Sequence, residues 1–98
     1  MAAESRTQLE QAARFLRATS EPTRLELLLE LRKGEQSVTE LSRGRSFSAV
    51  SQRLRVLQTA GLVDKRRDGK RQLYSLRSPE VEELLVSILH HASALSPS

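Results

Sequence analysis

The sequence predicts a mainly α-helical fold with one small β-hairpin, in the order helix, helix, helix, helix, hairpin, helix. Three observations carry it. Apolar residues recur at helical spacing in separate segments of the chain. Pro22, Gly34, Gly44, Gly61 and Pro79 punctuate the chain between those segments. A lone Asp-Gly pair, Asp68-Gly69, sits between two short apolar-bearing runs, which is a hairpin-turn signal.

Residues 4–18 read as the first helix, with Leu9, Ala12, Ala13 and Leu16 at helical spacing and Phe15 alongside. Ser20-Glu21-Pro22 breaks the pattern, and a proline suits the first turn of the next helix, where its missing N–H would be unsatisfied anyway. That helix carries Leu25, Leu28, Leu29 and Leu31 and stops at Gly34. Ser37 is placed to cap a short third helix through Leu41, with Glu40 in the capping-box position. Arg43-Gly44-Arg45 is a turn, and Ser46 caps a fourth helix that ends near Thr59. Val50, Leu54 and Leu57 form its inner face; at about 100° per residue, Ser48, Gln52, Arg55 and Thr59 fall opposite. Leu62–Arg66 and Gln72–Arg77 read as two strands around the turn Arg67–Arg71. Pro79 opens a last helix with a broad stripe of Val81, Leu84, Leu85, Ile88, Leu89, Ala92 and Leu95. So wide a stripe on a terminal helix is expected to pack on a second copy, with Leu85 and Ile88 in that interface. Residues 4–18 and 79–95 are therefore read as dimerisation helices.

Ninety-eight residues make one domain, 1–98. With no Cys, disulfides, thiolate metal sites and Fe–S clusters are excluded. Aromatics are 3% and Trp is absent, which argues against stacking platforms for single-stranded nucleic acid. The net charge of +4 is unevenly spread. Residues 35–77 hold ten Lys/Arg against four Asp/Glu, whereas residues 78–98 hold three acids and no Lys or Arg. A basic block confined to mid-chain is the footprint of a polyanion partner, most often nucleic acid. The start lacks the basic and apolar regions of a secretory signal, and Leu25–Leu31 is too short and too charged to cross a bilayer. The reading is a cytoplasmic protein with no membrane partner and a frayed Ser96-Pro97-Ser98 end. Two adjacent histidines, no Cys and no phosphate-binding Gly-rich loop leave no catalytic triad or nucleotide site, so an enzyme is not expected.

A short helix, a tight turn, an amphipathic helix and a basic hairpin make the winged helix-turn-helix plan, with residues 37–60 as helix-turn-helix and 62–77 as wing. The outer side of the fourth helix then faces a major groove, with Ser48, Gln52 and Arg55 projecting. Ser46 and Ser51 belong to the same DNA-binding set, and Arg53 stands at the flank within reach of phosphate. Arg66, Arg67, Lys70 and Arg71 of the hairpin would straddle a phosphate strand or enter the minor groove.

ATSEPTRLELLLEL (Ala18–Leu31), VTELS (Val38–Ser42) and SAVSQRLRVLQTAGLVDKRRDGKRQLYSL (Ser48–Leu76) together resemble the ArsR/SmtB family of bacterial winged-helix regulators. The resemblance implies a homodimer on double-stranded operator DNA, with transcription controlled by a ligand. Two departures stand out. The link from Leu41 to Ser46 is two residues shorter than is usual in the family, so the turn should be tighter. Phe47 stands where many relatives carry a polar base-reading side chain; a packing role at the edge of the core stripe is the favoured reading, contact with a thymine methyl the other.

Many members of that family sense metals. The cysteine-based class has no counterpart in Ser37–Ser42. A second class places two ligand pairs on the last helix; Ser78 and Glu80 occupy the first pair of positions, His91 and Ala94 the second. Only Glu80 and His91 keep ligand chemistry. Eleven residues put them about 16.5 Å apart along one helix, so one ion would need Glu80 of one chain and His91 of another, on antiparallel helices. Such N/O donors suit nickel or zinc. His90 is expected on the polar face, away from that edge. The competing reading makes His91 a rim histidine and Glu80 a first-turn acid favoured by the helix dipole. From a different class comes the alternative of an interaction module, controlled by a protein partner or a non-metal ligand and binding DNA weakly.

Overall fold

The computed structural model describes residues 3–95. Its elements are α1 (Arg6–Ala18), α2 (Pro22–Leu31), β1 (Gln36–Ser37), α3 (Val38–Leu41), α4 (Phe47–Thr59), β2 (Val63–Asp68), β3 (Arg71–Leu76) and α5 (Pro79–Leu95). The winged helix-turn-helix plan is what forms. Local chemistry sets most of the ends. Ser5 caps α1 by a reciprocal pair with Gln8 at 3.0 and 2.9 Å, so the helix begins two residues later than read from apolar spacing. The capping box of Ser37 and Glu40 opens α3, at 3.1 and 3.0 Å. Ser46 caps α4 through the Ala49 amide at 3.3 Å.

The hairpin is longer than anticipated. Asp68 pairs with Arg71, leaving only Gly69 and Lys70 in the turn. Gly69 has φ +63° while no non-glycine residue among those described has positive φ, the pattern of a type II′ turn, which matches strand twist. β1 was not anticipated: two polar residues carry no periodic signal. It pairs antiparallel with β3, Gln36 opposite Tyr74 and Ser37 opposite Leu73, giving the sheet order β1-β3-β2. The short link from Leu41 to Ser46 is indeed tight. Gly44 takes φ +73°, the Arg45 amide donates to Ser42 at 2.8 Å, and the Arg45 guanidinium donates to the Leu41 carbonyl and to Glu26.

One core joins the elements: Leu27, Leu28 and Leu31 of α2, Val38 and Leu41 of α3, Val50, Leu54 and Leu57 of α4, Leu62, Val63 and Tyr74 of the wing base, and Val81 and Leu85 of α5. The stripe on α5 divides. Val81 and Leu85 turn into the chain's own core, Ile88 is half-buried, and Leu84, Val86 and Leu89 are exposed. This corrects the expectation for Leu85: at 1% exposure it is an intrachain core residue, because its side of α5 closes the core over β3. The Leu95 side chain and Ser96–Ser98 lie outside the described residues.

A polar tie also fixes α4. The Arg53 Nε donates to Glu21 at 2.5 Å, while Glu21, the N-cap of α2, also accepts from the Thr23 amide. Arg53 donates further to the Ala49 carbonyl at 3.3 Å. Partial burial alone would raise the Glu21 pKa; the Arg53 and Thr23 hydrogen bonds outweigh it and hold the carboxyl below its usual range.

Two expectations follow for stability. Leu85→Ala should cost about 2–5 kcal/mol in a urea melt, through lost burial and the cavity left behind; an unchanged midpoint would remove Leu85 from the core. For Glu21, a lowered folded pKa means stabilisation that is complete above the ordinary value of 4.5 and lost as pH falls through the folded value. Thermal melts of wild type and Glu21→Gln should therefore differ at neutral pH and converge on acidification. A gap that is constant with pH would show the carboxylate charge to be immaterial.

Candidate nucleic-acid interface

Because Val50, Leu54 and Leu57 face the core, the opposite side of α4 is left to solvent. Ser48, Gln52, Arg55 and Thr59 are all exposed there, in one stripe along the helix. Ser46 and Ser51 stand differently. The Ser46 hydroxyl caps the helix and lies 3.1 Å from the Ser48 hydroxyl, and Ser51 is half-buried at the edge. Such a stripe offers short hydroxyl, amide and guanidinium groups at the height at which base edges are read in a major groove.

Phe47 does not pack into the core, contrary to expectation. It is 58% exposed. It occupies the first position of α4, one turn before the core-facing stripe begins at Val50, and lines a shallow groove with Thr39, Lys70 and Gln72. An apolar ring therefore stands in the open between the helix start and the wing.

The cations expected at the interface separate into two kinds. Arg66 is bidentate with Glu35, at 2.8 and 2.6 Å, tying β2 to the segment before β1. Those hydrogen bonds, against a small burial penalty, keep the Glu35 carboxyl below its usual range. Arg71 donates to Glu40, the capping acid of α3, at 3.2 Å. Arg53 is held by Glu21 as described. Lys70, Arg67 and Arg55, exposed like Arg66 and Arg71, form by contrast no ion pair among the described residues; Arg67 donates to the Gly69 carbonyl, at 3.2 Å. Nothing in the sequence pointed to Glu21, Glu35 or Glu40 as partners, since each lies 31 or 32 residues from its arginine.

On α5, Glu80 and His91 are both exposed. Hydrogen bonds from its own backbone N–H and from Ser78 hold the Glu80 carboxyl below its usual range. The Nδ1–H of His91 donates to the Ser87 carbonyl at 2.8 Å. His90 is not remote from it: the two rings meet edge to face at 4.9 Å and line one groove with Glu83 and Ser87. No group of three or more His, Asp or Glu able to hold a metal occurs among the described residues. No helix among them is long and apolar enough to cross a membrane.

Known proteins share the fold and much of the sequence. Residues 21–65 match the family model "Bacterial regulatory protein, arsR family". The chain is 41% identical over 87 residues to the HTH-type transcriptional regulator NmtR of Mycobacterium tuberculosis, covering 87% of this chain and 72% of that one. It is 41% identical to the HTH-type transcriptional regulator YgaV of Escherichia coli, covering 81% and 83%. Among solved structures it is similar to the homodimeric winged helix-turn-helix DNA-binding domain Mb0332 of Mycobacterium bovis, with TM-score 0.84 and 30% identity over 99% of this chain and 94% of that one. The chain therefore belongs to the arsR family of bacterial regulatory proteins, and it is a DNA-binding transcriptional regulator rather than an enzyme.

Proposed function

We propose that the chain works as a homodimer, joined through α1 and α5, that sets the outer stripe of α4 in the major groove of each operator half-site. Ser48, Gln52 and Arg55 read base edges, and Arg67 and Lys70 of the wing hold phosphate. The observation that carries this reading is the separation within the interface itself. Among the described residues, Gln52 and Arg55 of the outer stripe and Arg67 and Lys70 at the wing tip are exposed and in no ion pair, whereas Arg53, Arg66 and Arg71 are engaged with carboxylates. Support for the dimer comes from Leu9 and Leu16 on α1 and Leu84 and Leu89 on α5, exposed at 45–59%. Apolar side chains in such number on two terminal helices mark an association surface.

A specific observation favours metal control as a second reading. With Nδ1–H spent on Ser87, Nε2 is the ring nitrogen of His91 left to coordinate an ion, and hydrogen bonds favour the charged form of Glu80. One chain supplies two donors too far apart for a single ion, so the set becomes useful only between chains, Glu80 of one with His91 of its partner. Nickel or zinc suits imidazole and carboxylate. Bound there, it would link the two protomers and alter DNA affinity by a coupling of roughly 1–3 kcal/mol.

Binding of labelled duplex from the region upstream of the chain's own reading frame tests the first reading. Gln52→Ala should cost about 1–3 kcal/mol on the operator and relax preference at one base position. Arg67→Ala or Lys70→Ala should lower the slope of log K against log salt by about 0.9 per lost phosphate contact, on any sequence. Wing variants that bind normally at every salt would remove the hairpin from the interface. In sedimentation, Leu89→Glu should shift the protein to a folded monomer; an unaltered dimer would place the contact elsewhere. Calorimetry with nickel or zinc should find a site that His91→Ala abolishes and His90→Ala retains. Undiminished binding in His91→Ala would refute the site, and no heat in wild type would refute metal control.

A further inference from the structure

Among the described residues, seven arginines are ion-paired with carboxylates. Among the described residues, six others form no such pair, and four of those six (Arg14, Arg17, Arg24 and Arg55) line one groove between α1, α2 and the second half of α4. The groove has a volume of about 690 Å³, no carboxylate in its lining, and a floor made by Ala18, Val56 and Ala60. Arg24 is fixed in place: its Nε donates to the Ala18 carbonyl at 2.7 Å and its Nη2 to the Arg17 carbonyl at 3.1 Å. A guanidinium carries five N–H donors, so Arg24 keeps donors to spare after closing the end of α1. Four cations gathered with no carboxylate in the groove make a local positive potential that favours an anion.

The position of the groove says which anion. Arg55 and Thr59 belong both to its lining and to the outer stripe of α4. Lys70 and Arg71 of the wing share a groove with Phe47 at the start of α4; the arginines stand beside its last turns. Cationic groups thus stand at both ends of the recognition helix. A helix seated in a major groove about 12 Å wide has a phosphate strand on either side. We propose that Arg14, Arg17 and Arg24, with Arg55, form a second phosphate clamp, which grips the operator's sugar-phosphate backbone at the end of the recognition helix opposite Phe47 and the wing tip.

The apolar floor fits this occupant as well as the charge does. Val56, 38% exposed, and the two alanines give the carbon face of deoxyribose something to pack on while the guanidinium groups take the phosphate oxygens. Arg14 lies away from the proposed dimer face, whereas Arg17 also lines a groove with Leu9. Around α1, Arg14 lies roughly 140° from Leu9 and 160° from Leu16, at about 100° per residue.

This inference rests on the DNA-binding reading above, and its test separates the two. Anisotropy of a labelled operator duplex is followed across a salt series for wild type, Arg14→Ala/Arg17→Ala and Arg14→Lys/Arg17→Lys. Arg24 is left intact because it closes α1. The alanine pair should lower the salt slope by about 1.8, at roughly 0.9 per phosphate, and weaken binding tenfold or more near physiological salt. The loss should be equal on operator and scrambled duplex, with an unchanged dimer in sedimentation, and the lysine pair should retain most of the slope. If wild type binds steeply with salt and the alanine pair keeps the full slope, the clamp is overturned and the recognition helix stands. If wild type binds no duplex at any salt, both readings are overturned. Should the alanine pair fail to fold, Arg17→Gln decides by the same slope, with a fall of about 0.9 expected and no fall overturning the clamp.

Discussion

Val50, Leu54 and Leu57 bury one side of α4 in a core shared with Leu27, Leu28 and Leu85, and the useful properties of the helix's other side follow from that burial. A reading surface has to be presented rigidly, since a base contact depends on placement within a fraction of an ångström. Here no polar group on the outer stripe is needed to hold the helix. The core grips it from behind, and the tie from Arg53 to Glu21 sets it against α2. Ser48, Gln52 and Arg55 are left free for a partner.

The same separation runs through the charges. Eight ion pairs bind elements distant in sequence or neighbouring turns. Individually, pairs on a protein surface contribute little stability. Their larger effect here is on geometry. Arg66 with Glu35 and Arg71 with Glu40 fasten the wing to the segments around β1 and α3, so that the wing tip with Arg67 and Lys70 projects from a braced hairpin. Five of the cations in no ion pair among the described residues lie on or beside α4, with Arg14, Arg17, Arg24 and Arg55 near its end and Lys70 near its start, which suits a polyanion partner.

Helix and hairpin positions were legible in the sequence because their causes are local: a cap, a Pro at N1, an Asp-Gly turn, apolar residues three and four apart. The outer stripe of α4 was legible for the same reason, being fixed by period once the inner stripe is known. What could not be read depends on tertiary neighbours. Phe47 has the angle of a core residue but lies one turn beyond the core's edge. Leu85 and Leu89 are both stripe leucines, yet one is 1% and the other 45% exposed, because only one side of α5 meets β3. The arginine groove brings Arg14 and Arg55 together across some forty residues of chain, and no spacing rule covers that distance.

The division of α5 also constrains how a signal at that helix could act. Val81 and Leu85 belong to the same cluster as Leu54 and Leu57, so α5 and α4 are parts of one close-packed body. Packed cores deform little, and they do not slide continuously under a small load. A ligand between two copies of α5 would therefore find little give between α5 and α4 within a protomer. What it could change is the angle between protomers, across the surface formed by Leu84, Leu89, Leu9 and Leu16. Because α4 rides rigidly with α5, a small rotation there becomes a change in the separation of the two reading surfaces, and half-site spacing on DNA admits only one separation per helical turn. In the proposed dimer, regulation would need no internal switch; it would need a dimer contact that is soft relative to the core, which the exposed leucines set among charged and polar residues on α1 and α5 would supply.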